Sequence, residues 1–96
     1  MKHLKTINEL FRSNDLEGTS LLKKLNQADI KKLIDDETET IYNFDIDGKS
    51  YKLEVDWEDE INPKYSIYKD GKKLSVSDYI LSKIHRIGYT KTEKES

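Results

Sequence analysis

Residues 37–60 read ETETIYNFDIDGKSYKLEVDWEDE, and the way they alternate decides the fold of the chain. Tyr42, Phe44 and Ile46 recur with period two, as do Tyr51, Leu53, Val55 and Trp57, and Asp47-Gly48 stands between the two runs. Such alternation around an Asp-Gly pair predicts a β-hairpin whose large apolar side chains share one face. The other face carries Asn43, Asp45, Lys52, Glu54 and Asp56 and is mostly acidic. An antiparallel sheet with one buried face reads this way, so the flanking segments are expected to cover the apolar side.

Upstream, residues 3–12 place Leu4, Ile7, Leu10 and Phe11 at helical spacing, and Ser13-Asn14-Asp15 ends that pattern. Glu17-Gly18-Thr19-Ser20 offers a turn and an N-cap for a second helix bearing Leu21, Leu22 and Leu25. Ile30, Leu33 and Ile34 do not continue its apolar face. A break near Asn26 restores the phase and predicts a third short helix over 27–35, with one bent helix as the alternative. Asp35-Asp36 opposes the helix dipole there and stops it.

Downstream, Glu58 to Pro63 reads as an exposed loop. A third strand over 64–69 puts Tyr65 and Ile67 on the core face and Tyr68 on the acidic face or at an edge. It closes at Asp70-Gly71, and Lys72-Lys73-Leu74 suits a short return strand. Ser75 or Ser77 caps a last helix from Asp78 to Ile87, striped by Ile80, Leu81, Ile84 and Ile87 and stopped at Gly88. The expected fold class is α+β: N-terminal short helices, an antiparallel three- to four-stranded sheet, and a C-terminal helix packed on one sheet face. A single domain over 1–89 would carry a flexible polar tail over 90–96.

Composition agrees with a small folded domain. Only 34% of the 96 residues are apolar and 38% are charged. Leu, Ile, Val and Phe nevertheless number 24, above the roughly 20% below which disorder is expected, and the net charge is only −2. There is no cysteine, which removes disulfides and thiolate metal sites. No apolar run approaches the roughly 18 residues of a membrane span, and Met1-Lys2-His3-Leu4 does not lead into a signal-peptide core. A cytoplasmic protein without membrane association is expected. Charge is segregated along the chain: residues 1–34 carry +3, residues 35–60 carry −9 and residues 61–96 carry +4. Asymmetry of this size points to a partner surface.

Several chemistries fall away on residue grounds. His3 and His85 are separated by most of the chain and have no nucleophile at triad spacing; both read as ordinary surface or boundary residues. Asp45-Ile46-Asp47-Gly48 imitates the start of an EF-hand loop, but Lys49-Ser50-Tyr51 follows, without the later donors a calcium cage needs. Asp56 with Asp70-Gly71-Lys72 imitates a nuclease acid-and-lysine arrangement, yet Asp70-Gly71 belongs to a turn. No cofactor or metal site is expected, and the chain reads as non-enzymatic.

The acidic hairpin side remains. Asp45, Glu54, Asp56, Trp57, Glu58, Asp59, Glu60 and Tyr68 form the candidate partner-binding set, with Asp35, Asp36, Glu37 and Glu39 near them in sequence. Carboxylates spaced along strands can stand where nucleic-acid phosphates stand, and complementary charge speeds association. The reading is a small protein-binding module, an inhibitor or nucleic-acid mimic that offers an acidic face to a basic, nucleic-acid-binding protein. As an analogy of type, phage or mobile-element inhibitors and bacterial immunity proteins combine the same features. The plainer reading is that these acids keep an exposed sheet soluble.

Two alternatives stand beside it. In a winged-helix-like regulator, the helix over 27–35 would enter a DNA groove, with Lys23, Lys24, Lys31 and Lys32 on phosphates. The acidic wing opposes that, so nucleic acid is not expected to bind directly. In the other, a regulatory subunit self-associates, as a weak homodimer in place of a monomer, through an edge strand and its tyrosines.

Overall fold

The computed structural model describes residues 14–94, so the helix expected over 3–12 lies outside the described residues. In order they form α1 (Asp15–Lys24), a 3-10 turn (Leu25–Gln27), β1 (Ile30–Asp35), β2 (Glu39–Ile46), β3 (Lys49–Asp56), β4 (Lys64–Lys69), β5 (Lys72–Leu74) and α2 (Asp78–Lys94). The strands make one antiparallel meander in the order β1-β2-β3-β4-β5. The fold is α+β, with the C-terminal helix on the sheet.

The hairpin lies where the alternation put it. Tyr42, Phe44, Ile46, Tyr51, Leu53 and Val55 are buried with Ile67 of β4, and Phe44 stacks on Tyr51 at 5.5 Å between ring centroids. Asp47 and Gly48 have φ of 53° and 75°, and Asp70 and Gly71 have φ of 49° and 87°. Both Asp-Gly pairs thus supply the two positive φ angles that a tight hairpin turn needs. Leu21 and Leu25 of the first helical segment and Ile80, Leu81 and Ile84 of α2 close the core over the apolar face. Burying these side chains supplies the main stabilisation, about 1.5–3 kcal/mol each.

Three expectations are corrected. The helix over 27–35 is an edge strand. The chain breaks near Asn26 as the phase required, but Ala28 is already extended and β1 pairs with β2. A β-bulge between Lys32 and Ile34 shifts the alternation by one, so Ile30, Leu33 and Ile34 fall at helical spacing without being helical. The sheet therefore has five strands instead of three to four, and one helix precedes it among the described residues. Secondly, α1 begins before its expected cap: Asn14 and Asp15 open it, and Gly18 lies within it. The two side chains reach across the fold, Asn14 Oδ1 accepting from the Ser75 N–H at 2.7 Å and Asp15 Oδ1 from the Ser77 N–H at 2.8 Å. Thirdly, α2 runs past Gly88 to Lys94 because tertiary contacts hold its last turns. Lys91 Nζ donates to the carbonyls of Leu25, Asn26 and Ala28 at 3.2, 3.0 and 2.6 Å.

Candidate functional site

The meander sorts the carboxylates by position. Its β1–β2 and β3–β4 connections lie at one end of the sheet, and its two Asp-Gly turns at the other. Asp35, Asp36, Glu37 and Glu39 therefore gather with Asp56, Glu58, Asp59 and Glu60. The backbone N–H of Trp57 donates to the Thr38 carbonyl at 2.9 Å and ties the two connections together.

The sheet face that no described helix covers, by contrast, is charge-balanced. Register places Lys31, Lys52, Lys64 and Lys73 on it beside Glu39, Asp45, Glu54 and Asp56. Lys52 Nζ lies 3.4 Å from Glu54 and 5.3 Å from the centre of the Tyr68 ring, and Lys64 stands opposite Asp56. The eight candidate residues thus divide. Asp56, Trp57, Glu58, Asp59 and Glu60 share the acidic end. Asp45 sits beside the Asp47-Gly48 turn, about 20 Å along the strand, and Glu54 and Tyr68 take up the Lys52 charge.

At the acidic end the sheet and α2 enclose a cleft of about 490 Å³. Tyr42, Trp57, His85 and Tyr89 line it with Thr40, and Asp35, Asp36, Glu37 and Glu60 rim it. Among the described residues no lysine or arginine lines it. Each wall has a structural reason. Alternation turns Thr40 and Tyr42 inward from β2. Trp57 leaves β3 and is fixed by its indole N–H, which donates to the Thr40 hydroxyl at 2.8 Å, while that hydroxyl donates to Asp35 at 3.2 Å. His85 and Tyr89 stand four apart on α2, hence on one helical face. The His85 ring lies 5.7 Å from Tyr42, 5.7 Å from Trp57 and 5.9 Å from Tyr65. Burial among these rings lowers the His85 pKa from 6.5 against the opposing pull of Asp35, which favours the neutral imidazole.

The rim acids are not equivalent. Asp35 pairs with Lys32 at 3.1 Å. Asp36 accepts from the Thr38 and Glu39 N–H groups and the Thr38 hydroxyl at 2.8–2.9 Å; the Glu39 amide, foremost, lowers its pKa. Asp56 and Asp59 similarly accept backbone N–H groups of the loop after β3. Glu37, Glu58 and Glu60 are exposed and carry no ion pair among the described residues. The aspartates shape the two connections, and the glutamates leave their charge to solvent. No group of three or more His, Asp or Glu side chains poised to hold a metal occurs among the described residues.

Sequence reading found Trp57 and Glu60 but not the cleft. Tyr42 reads as core, His85 as a boundary residue, and Tyr89 falls outside the apolar stripe. One signal was available, since Tyr89 and His85 at i and i+4 border the apolar stripe of the last helix. No described helix is long and apolar enough to cross a membrane. No family model matches the chain, nor does any curated protein or any solved structure.

Proposed function

We propose that the protein is a non-enzymatic binding module that engages a basic protein, as an inhibitor of a nucleic-acid-binding partner would, through the acidic end of its sheet. The observation that carries this reading is the cleft with four carboxylates and, among the described residues, no lysine or arginine in its lining, beside Glu37, Glu58 and Glu60, which have no ion pair among those residues. Charge gathered at one end steers a cationic surface toward it, while the lysines of the open sheet face keep that partner from docking broadly elsewhere. The winged-helix alternative has no observation in its favour, because the segment it needs as a recognition helix is β1.

The test is capture of basic proteins from cell extract by the wild-type chain and by the combined Glu37→Gln, Glu58→Gln, Glu60→Gln variant. At low ionic strength the wild type retains basic proteins that high salt releases, and the variant retains far fewer. Equal retention by the two chains would rule the acidic end out as the binding surface.

A further inference from the structure

We infer that the cleft between β2, Trp57 and α2 is a receptor for an arginine side chain presented by a basic segment of the partner. This rests on the reading of the acidic end as a surface for a basic protein and names what enters it. Three observations converge on a guanidinium. The walls are aromatic: Tyr89 is 56% exposed and the Trp57 indole is half-buried, so both offer ring surface to an incoming group. The rim is acidic, and Glu37 and Glu60 have no ion pair of their own among the described residues. The floor offers little repulsion to a cation, because no lysine or arginine lines it among the described residues and the packing of His85 against Tyr42, Trp57 and Tyr65 favours the neutral imidazole.

A planar, weakly hydrated guanidinium stacks on aromatic rings while donating to carboxylates at the margin. An ammonium is a compact, strongly hydrated charge that gains less from leaving water. The volume, about 490 Å³, exceeds one side chain and leaves room for the neighbouring backbone of the segment that carries it. The architecture also keeps the walls in place without a ligand. The Trp57–Thr40–Asp35 hydrogen bonds and the packing of Tyr42 against the helix hold three of them, so little order has to be gained on binding.

The chain has one tryptophan, so its fluorescence reports the cleft alone. Capped hexa-arginine and hexa-lysine peptides are titrated at low ionic strength into the full chain. Hexa-arginine changes Trp57 emission and binds about fivefold or more tightly than hexa-lysine. Tyr89→Ala, at an exposed position where an unchanged circular dichroism spectrum verifies the fold, weakens hexa-arginine about fivefold and hexa-lysine by less than about twofold. Glu37→Gln with Glu60→Gln weakens both peptides. If the two peptides bind equally and Tyr89→Ala alters neither, the arginine receptor is overturned while the acidic surface stands. Failure of both peptides to bind overturns the two readings together.

Discussion

Two glycines inside helices have opposite reasons to be there. At Gly18 an added Cβ would stand 2.9 Å from Ile80 Cγ2 and 2.9 Å from Val76 Cγ1, and these β-branched side chains have little rotamer freedom with which to retreat. Glycine there sets how closely α1 approaches α2. At Gly88 the same Cβ would rest 3.4 Å from the Tyr42 ring, an ordinary contact. Gly18→Ala is therefore expected to destabilise, an overpacking cost of about 1–3 kcal/mol outweighing the roughly 1 kcal/mol that alanine gains in a helix. Gly88→Ala keeps the gain without the clash and raises stability by up to about 1 kcal/mol. Urea unfolding of the two variants against wild type should give shifts of opposite sign. At this scale a sequence shows which positions are glycine but not what faces them. Gly88, which reads as a helix stop, is instead the flat spot on which Tyr42 lies.

The elements were legible where their period was unbroken. The hairpin, β4 and the apolar stripe of α2 follow from spacing, because each repeats its pattern long enough to be unambiguous, and the three-residue β5 follows from the Asp70-Gly71 turn before it. β1 was not, because a bulge on an edge strand writes a helical spacing into a strand and leaves Leu33 and Ile34 55% and 37% exposed. The end of α2 was not legible either, since what holds it is a cation donated to carbonyls some sixty residues earlier. Those carbonyls lie at the 3-10 turn and at Ala28, where the chain leaves helical geometry and its backbone has no repeating partner. Lys91→Met keeps the aliphatic stem and removes the donor. The expected loss is about 1–3 kcal/mol, or several degrees in Tm, with faster amide exchange in the last two turns of α2. An unchanged Tm would mean that the last turns stand without this clamp.

Across the whole molecule the titrating groups divide into two pH windows. His85 has a lowered pKa in the fold, so between its folded value and 6.5 the unfolded chain binds more protons. Its contribution is present above 6.5 and is lost as the pH falls below it. Asp35, facing it from β1, moderates the effect. Glu17 and Asp36 are also lowered, from 4.5 and 3.8, by the Lys69 ammonium and the Glu39 amide respectively, so their stabilisation fades only in stronger acid. The stability measured by urea unfolding should drop between pH 7 and pH 5, and His85→Gln should flatten that step while leaving the acid limb below about pH 4 in place. An identical pH profile in the variant would mean that His85 is not the group responsible.

The sequence by itself determined the buried ribbon, its two Asp-Gly turns and the concentration of acid in residues 35–60, because alternation and turn chemistry act between neighbours along the chain. Only the tertiary structure decided where that acid acts. Strand pairing set Lys64 of β4 opposite Asp56 and put Lys31 of β1 and Lys73 of β5 on the same open face, which balanced it, while the meander brought two acidic connections to one end. There α2 laid His85 against Trp57, more than twenty residues away in sequence, and with Tyr89 made a cleft that no local pattern encodes.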